Sequence, residues 1–257
     1  PFGRSGAPRP LGIGIASIGP LDRQAGILLD PPDFYGLADL PIADWVRSES
    51  GLAVRADNDM NAAVLAESLF GAARDHGTVL YLGITHGIGA GFLSGGRLFT
   101  GASGFAGEAG HMILDPSGPP CPCGRRGCLE VVASVPVLLR ETGADSWDGL
   151  LDGARRGDAL AAGRIRLLRS HLAEALADLA NLLDPELVLL GHEGAQAADL
   201  LLPELEEAVN AAMLQHGIKR IPIRPAALGA DAPLWGGVAL VLEQWLRTGA
   251  TLPDAGD

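Results

Sequence analysis

Aromatic and charged residues are both scarce in this sequence. Among its 257 residues, 5% are aromatic and 19% are charged, whereas 47% are apolar. Such a chain can bury enough surface to offset its conformational entropy, which excludes intrinsic disorder as its general state. The length predicts either one large domain or two smaller ones.

Among the charged residues, the positively charged ones are the fewer. The sequence has 19 lysines and arginines against 31 aspartates and glutamates, so its net charge is −12 at pH 7. A surface of this sign repels the phosphate backbone of nucleic acids. The chain is therefore excluded as a DNA-binding module by itself, whereas a DNA-linked role for a longer parent protein is not excluded.

The sequence also lacks a long hydrophobic run and a secretory signal. Its most apolar stretches, 79–93 and 234–240, are interrupted by glycines or by His86 and fall short of the roughly 18 apolar residues of a membrane span. The first residue, Pro1, is not followed by a basic start and an apolar stretch. We expect a cytoplasmic protein without membrane contact, in which residues 1–10 form a loop after a removed upstream segment.

The few cysteines are clustered. The three of them, Cys121, Cys123 and Cys128, lie within eight residues, and His111 precedes the first by ten. An odd, clustered set is a poor disulfide framework and is typical of a metal site in a reducing compartment. Three cysteines and one histidine form a common closed set for structural zinc. The alternative is three unrelated buried thiols and a core histidine.

Apolar patterning predicts strands that alternate with helices, which is typical of the α/β class. The predicted strands are 11–17, 52–56, 79–84, 90–93, 186–190 and 221–225. The predicted helices are 45–50, 59–70, 134–141, 159–183, 200–215 and 235–247. Residues 101–128 are rich in glycine, proline and cysteine, and we expect them to be irregular.

One asparagine and several acids are candidates for a polyol pocket. Asn58 and Asp59 lie where a predicted strand meets a helix, and they can bind sugar hydroxyls, with Asp59 also able to act as a general base. The alternative for both is helix capping. Glu108 and Glu130 flank the predicted zinc loop, which can hold them in place, although each by itself is also consistent with a solvated acid.

A glycine-rich segment, Gly87-Ile88-Gly89-Ala90-Gly91, links two predicted strands. Glycines in such a turn let backbone N–H groups approach a phosphate, but they serve a plain tight turn equally well. The segment is not a dinucleotide-binding fingerprint, because no predicted helix begins directly after it.

Taken together and in order, these motifs resemble the ROK family of repressors, open reading frames and sugar kinases. The matching stretches are 14–22, 56–67, 87–91, 101–111, 121–130 and the C-terminal pair 184–191 and 231–237. The segments Gly-Glu-Ala-Gly-His ending at His111 and Cys-Pro-Cys-Gly-Arg-Arg-Gly-Cys-Leu-Glu ending at Glu130 are the most specific. The resemblance extends over the chain from Leu11 onward.

The resemblance implies an actin-like fold of two α/β domains with a cleft and a structural zinc. The first domain is expected to comprise residues 1–75 with a C-terminal helix at about 236–248 and to be incomplete at its N-terminal side. The second is expected to comprise residues 76–235, including the zinc loop 111–128. The zinc ligands implied are His111, Cys121, Cys123 and Cys128.

The resemblance also assigns roles to site residues. The positions that hold sugar are Asn58, Asp59, Glu108, His111 and Glu130. Asp59 falls on the catalytic base of the kinases, and His111 would bind both sugar and zinc. Gly87, Gly89 and Gly91 would be the remnant of a phosphate segment. Asp33 stands where the family often has asparagine, which leaves the sugar contact at that position open.

Departures from the kinase pattern favour a regulator. Kinases of the family begin with an Asp-x-Gly-Gly loop that this sequence does not contain. They carry Gly-Thr where this chain has Thr85-His86, and a glycine run where it has His192-Glu193. Because phosphoryl transfer depends on positioning and charge stabilisation, these changes predict its loss.

We therefore expect the sugar-sensing part of a ROK transcriptional regulator, as a homodimer or homotetramer. It would contact DNA only through a winged-helix domain outside this sequence. The enzyme alternative is a glucokinase-like or amino-sugar kinase that uses ATP, Mg²⁺ and Asp59. A third possibility is a zinc-stabilised interaction module without a ligand.

Overall fold

The computed structural model describes residues 10–31 and 36–248. Asp33 and nearly all of the predicted N-terminal loop lie outside the described residues, so the expectations for them stay untested. No helix within the described ranges is long and apolar enough to cross a membrane.

The described chain is a mixed α/β structure. Its strands are β1 (Ile13–Ser17), β2 (Leu21–Asp22), β3 (Ile27–Leu28), β4 (Val54–Asn58), β5 (Val79–Ile84), β6 (Ile88–Ser94), β7 (Arg97–Leu98), β8 (Leu187–His192) and β9 (Ile223–Pro225). Its α-helices are α1 (Ile42–Ser50), α2 (Asp59–Phe70), α3 (Leu129–Ala133), α4 (Val135–Thr142), α5 (Trp147–Arg155), α6 (Ala159–Leu183), α7 (Glu193–Gln196), α8 (Ala198–Ala212) and α9 (Ala232–Thr248). Short 3₁₀ turns occupy Ala109–His111 and Gly229–Asp231.

The larger sheet has the order β7-β6-β5-β8-β9. Strand β5 pairs antiparallel with β6 and parallel with β8, and β8 pairs parallel with β9. Every residue of β5 is buried, as expected for a central strand covered on both faces. Helix α6 covers one face with the fully buried Leu168, Leu172 and Leu176.

The smaller sheet pairs β1 with β4 in parallel, and β2 and β3 form a short antiparallel hairpin beside it. Helix α9 lies directly on β1. A Cβ atom at Gly14 would lie 1.8 Å from the carbonyl oxygen of Gly237, so only glycine permits this approach. Helix α2 packs on α9 through a core that includes Ala62, Leu65 and Leu240.

The opposite side of α2 contacts the larger sheet. Cβ atoms at Gly89 and Gly91 would lie 2.9 Å from Met60 Cγ and 2.2 Å from the Met60 carbonyl oxygen. Both glycines lie within β6, which begins at Ile88, and not in a turn. The turn between β5 and β6 is shorter than the glycine pattern predicts, because two of the three glycines accommodate a helix.

Most predicted elements are confirmed, and helices α2 and α6 have the predicted bounds. The expectation for helix 200–215 was wrong at both ends, because α8 spans Ala198–Ala212 and Met213 is extended. Helix α5 was not predicted: its glycines weaken the helical pattern, yet Trp147, Leu150 and Leu151 are buried in the main core. Helices α3 and α7 were also missed, since each has five residues or fewer.

Candidate functional site

The predicted polar residues begin where β4 ends and α2 starts. Asn58 is the N-cap of α2, and its Oδ1 accepts hydrogen bonds from the backbone N–H groups of Met60 at 2.9 Å and Asn61 at 3.4 Å. The capping alternative therefore holds for Asn58. The opposite end of the side chain, Nδ2, would lie 3.4 Å from a Cβ at Gly19, so this end faces the turn after β1.

Asp59 is the first residue of α2 and is half-buried. Its Oδ1 accepts a hydrogen bond of 2.9 Å from the Met60 N–H. Burial raises the pKa of the Asp59 carboxyl above its ordinary value, and the nearby charge of His192 partly opposes this rise. Asp59 is thus a carboxylate held at the start of a helix in a partly desolvated position, which suits either a hydrogen-bond acceptor or a proton acceptor.

Glu108 and Glu130 lie in the electrostatic neighbourhood of Asp59. Desolvation raises the pKa of Glu108, with His111 opposing the rise and the charges of Glu130 and Asp59 adding to it. Glu130 Oε2 accepts a hydrogen bond of 3.4 Å from the Ile88 N–H. The fold therefore places these acids and His111 around a common region, although they come from distant parts of the sequence.

Gly87 belongs to the same region. A Cβ at Gly87 would lie 2.5 Å from Glu130 Oε2, so the glycine makes room for this carboxylate. A phosphate at this position would meet a negative charge and not a free row of N–H groups. Of the predicted phosphate-segment residues, Gly87 thus contacts the acid cluster, whereas Gly89 and Gly91 contact α2.

The candidate metal centre consists of His111, Cys121, Cys123 and Cys128, whose ligand atoms all lie within 4.8 Å of one another. Cys121 Sγ is 3.6 Å from His111 Nδ1. Cys123 Sγ is 3.7 Å from Cys128 Sγ. With ordinary zinc–ligand distances, a tetrahedron separates sulfur from nitrogen by about 3.6 Å and two sulfurs by about 3.8 Å. The donor set and these spacings fit a zinc ion.

Backbone pairing gives the metal loop its shape. Isolated antiparallel bridges join Ile113 to Cys128 and Pro120 to Arg126. Gly127 has a φ of +64°, and a Cβ there would lie 1.6 Å from the Asp115 carbonyl oxygen. Only glycine can satisfy both conditions, and its N–H and C=O groups hold two sides of the loop together.

The thiols differ in their surroundings. Cys121 and Cys128 are buried, whereas Cys123 is exposed. Hydrogen bonding from the Arg125 backbone lowers the pKa of Cys123 to about 6, and burial raises the pKa of Cys128 to about 12. Zinc binding requires thiolates, so a bound ion would release the protons of the buried thiols.

His192, which ends β8, has a conformation that sequence reasoning did not foresee. Its φ is +54° and its ψ is −129°, a region that glycine adopts and other residues rarely do. Its ring lies edge-on to Tyr81 with 6.0 Å between centroids, and a Cβ at Gly83 would be 3.0 Å from its Cδ2. Its Nε2 is buried without a hydrogen-bond partner among the described residues.

Sequence reasoning also missed a buried ion pair at the edge of the site. Asp57 is 2% exposed and accepts two hydrogen bonds from Arg23. The only signal in the sequence was a second aspartate in the segment Asp57-Asn58-Asp59, and no local pattern linked it to an arginine 34 residues earlier.

Residues 5–244 match the ROK family. The chain is 32% identical to the glucokinase of Thermotoga maritima, over 90% of this chain and 79% of that protein. It is 29% identical to the xylose repressor of Bacillus spizizenii, over 92% of this chain and 62% of that protein. Among solved structures, a ROK family transcriptional regulator homologous to the Escherichia coli MLC protein superposes with a TM-score of 0.81 at 31% identity, covering 88% of this chain and 60% of that one.

The chain thus spans less than two thirds of these regulators and about four fifths of the glucokinase. Its relatives include both repressors and sugar kinases, and similarity alone does not separate the two activities. The sequence resemblance is confirmed, as is the fold that it implied. This chain, with its actin-like fold, belongs to the ROK family.

Proposed function

We propose that this chain is the sugar-sensing part of a ROK transcriptional regulator and binds a hexose-type ligand. The ligand would lie against Asn58, Asp59, Glu108, His111 and Glu130. Three of these residues, Asp59, Glu108 and Glu130, are carboxylates, and their clustering supports the proposal because carboxylates are strong acceptors for sugar hydroxyls. Relatives on both sides of the family carry sugars in their names, as a glucokinase and a xylose repressor do.

The observation that carries the choice of a regulator is the conformation of His192. At the end of β8, where kinases of this family have a glycine run, this chain has an imidazole on a backbone with a φ of +54°. The ring occupies space beside Gly83 and lies within electrostatic reach of Asp59. Glu193 follows directly and adds a carboxylate, which disfavours a nucleoside triphosphate at this edge of the sheet.

In this proposal, zinc has a structural role. His111 Nδ1 faces Cys121 Sγ, so the other ring nitrogen, Nε2, is left for the ligand. Bound zinc would supply a closed, four-coordinate anchor that orients the ring and stiffens the loop. The residues of the chain then hold the sugar by hydrogen bonds, and none of them needs to transfer a proton.

Signalling would follow from a change between two arrangements of the domains proposed at 1–75 with 236–248 and at 76–235. A sugar shifts this equilibrium only by its difference in affinity for the two arrangements. The proposed assembly is a cytoplasmic homodimer or homotetramer, whose DNA contacts lie outside this sequence.

Calorimetry over a panel of hexoses, pentoses and amino sugars tests the proposal on zinc-loaded protein. We expect at least one sugar to bind, and we expect Glu108→Gln to weaken that binding about tenfold by loss of a charged acceptor. The matched control is the same change of charge at the exposed Asp145, Asp145→Asn, which should leave the affinity unchanged. Absence of heat with every sugar would contradict sugar sensing.

The second candidate is an ATP-dependent sugar kinase. The observation in its favour is Asp59, whose raised pKa makes it a better proton acceptor than an exposed aspartate. An ADP-release assay with Mg²⁺-ATP and each bound sugar distinguishes the candidates. We expect no sugar-dependent turnover; turnover that Asp59→Asn abolishes would establish the kinase instead.

A further inference from the structure

Arg23 occupies the tip of the β2–β3 hairpin, and the turn itself holds it there. Asp22 Oδ1 accepts hydrogen bonds from the N–H groups of Gln24 and Ala25, each at 2.9 Å. The Gly26 N–H donates to the Asp22 carbonyl oxygen at 2.7 Å, and Gly26 has a φ of +69°. The arginine therefore projects from a preformed turn and not from a loose loop.

The guanidinium of Arg23 joins two segments that are far apart in sequence. Its Nε and Nη2 donate to Asp57 Oδ2 at 2.9 and 2.5 Å. Its Nη1 donates to Thr100 Oγ1 at 3.0 Å. The arginine side chain is 29% exposed and that of Asp57 is 2% exposed, so the pair is largely shielded from water.

On one side, this contact reaches the start of α2. Asp57 Oδ1 accepts hydrogen bonds from the Asn58 N–H at 2.9 Å and from Asn61 Nδ2 at 3.0 Å. Both oxygens of Asp57 are thus engaged, and the carboxylate holds the helical turn that carries Asp59. A buried carboxylate with this many donors has little freedom to move.

On the other side, the contact reaches the loop that leads to Glu108. The Thr100 carbonyl oxygen accepts a hydrogen bond from the Ala106 N–H at 3.1 Å, which closes the loop. A Cβ at Gly104 would lie 3.1 Å from Arg23 Cδ, so the loop packs on the stem of the arginine as well as on its head group.

We propose that Arg23 is a positioning residue that couples the two halves of the sugar pocket, the α2 start with Asn58 and Asp59 and the loop ending at Glu108. The inference rests on the function proposed above and adds to it the group that sets the spacing of the halves. The fork of a guanidinium reaches Asp57 and Thr100 at once, which the single ammonium of lysine cannot do.

If Arg23 only stabilised the fold, its ion pair with Asp57 would be sufficient, and its hydrogen bond to Thr100 would not affect sugar binding. Replacing Arg23 would leave the buried Asp57 unpaired and is expected to unfold part of the protein, so it does not separate the two roles. The decisive variants are at Thr100. Thr100→Val keeps the shape of the side chain and the Arg23–Asp57 ion pair, but it removes the hydroxyl that accepts the hydrogen bond from Arg23 Nη1. Thr100→Ser keeps a hydroxyl at this position.

Two measurements on the zinc-loaded chain test the proposal. In ligand-free protein, Thr100→Val should raise amide hydrogen exchange in residues 100–108 and 57–62, while Thr100→Ser should match the parent. In calorimetry, Thr100→Val should weaken sugar binding about tenfold and Thr100→Ser should restore it. Exchange in α5, which has no hydrogen bond with Arg23 among the described residues, serves as the internal control.

The two measurements distinguish failure of the positioning role of Arg23 from failure of the proposed sugar binding. Unchanged exchange in Thr100→Val, or raised exchange with parent-like sugar affinity, would overturn the positioning role of Arg23. If the parent binds no sugar, the proposed function fails. The exchange data then decide alone: raised exchange in both segments supports the coupling, and unchanged exchange refutes it.

Discussion

At the scale of single residues, neighbouring carboxylates in this chain have different environments and hence different uses. Asp57 is buried and engages both oxygens with Arg23, Asn58 and Asn61. Asp59 is half-buried and receives one backbone hydrogen bond from another residue. A saturated carboxylate stabilises structure, whereas one with unused acceptor capacity can receive a ligand.

The raised pKa of Asp59 predicts that its carboxylate lowers the stability of the folded chain while it favours sugar binding. Because its pKa is higher in the folded chain, the folded state loses stability as the pH rises from the ordinary value of 3.8 through the folded value. We expect Asp59→Asn to raise the melting temperature at pH 7 and to weaken sugar binding by about tenfold or more. Thermal unfolding and calorimetry on the same preparation check both effects.

The two variants Asp59→Asn and Asp145→Asn remove equal charge, but only the first removes a desolvated one. A lower melting temperature for Asp59→Asn would show that the carboxylate stabilises the fold. Unchanged sugar affinity would show that the assigned pocket is wrong.

The backbone of His192 predicts that glycine stabilises the chain at this position. For a residue other than glycine, a strained φ and ψ lower the stability of the folded chain by about 1–3 kcal/mol. Glycine avoids this strain, but its greater loss of backbone entropy on folding costs up to about 1 kcal/mol. We expect His192→Gly to be more stable than His192→Ala by about 1–2 kcal/mol in urea unfolding. The alanine variant is the matched control, since it also removes the imidazole but keeps the Cβ. Alanine equal to or better than glycine would exclude backbone strain at this site.

At the scale of elements, the metal loop shows how local chemistry compensates for missing regular structure. Residues 112–127 contain neither a helix nor a ladder of strands, and isolated bridges with a few backbone hydrogen bonds order the loop. Four converging donors add the remaining constraint, because a bound ion would join both ends of the loop.

Metal removal should therefore loosen the loop and destabilise the chain. We expect about one zinc per chain by elemental analysis, and a strong chelator should lower the melting temperature by about 5 °C or more. Cys128→Ser should lose the zinc, whereas Ser117→Ala in the same loop should retain it. A Cys128→Ser variant with full zinc content would show that the ion is held elsewhere.

The packing of α2 on β6 yields another prediction at this scale. A methyl group at Gly91 would meet the Met60 backbone, which cannot move without shifting the helix. We expect Gly91→Ala to lower the free energy of unfolding by about 2 kcal/mol or more. The control is Gly163→Ala in α6, where the nearest atom would be 3.8 Å away and alanine should stabilise by up to about 1 kcal/mol. Urea unfolding of both variants decides, and a tolerated Gly91→Ala would contradict the packing role.

At the scale of the whole molecule, the charge balance predicts weak contact between this chain and DNA. With a net charge of −12, this chain should bind duplex DNA no more tightly than about 100 μM at physiological salt. Fluorescence anisotropy with a labelled duplex measures this, and bound sugar should not change the result. Micromolar binding by this chain would show a basic surface patch that the net charge conceals.

Prediction from sequence succeeded where local patterns decide the structure. The bounds of α2 and α6 follow from apolar spacing and from flanking residues that cap helices, such as Asn58 and Asp158. The spacing of the cysteines predicted a ligand set that the structure brings together. Helix α5 was missed because Gly149 and Gly153 oppose a helix locally, and burial of Trp147, Leu150 and Leu151 in the core compensates for them.

Residue types at short, regular spacing were enough to predict the α/β class, the family and the candidate ligand set of the metal loop. Three further features could not be predicted without the folded structure: Gly89 and Gly91 accommodate a helix, His192 has a glycine-like backbone, and Arg23 joins Asp57 to Thr100. Each of these depends on contacts between segments tens of residues apart, and such contacts arise when the strands assemble and not from any local pattern.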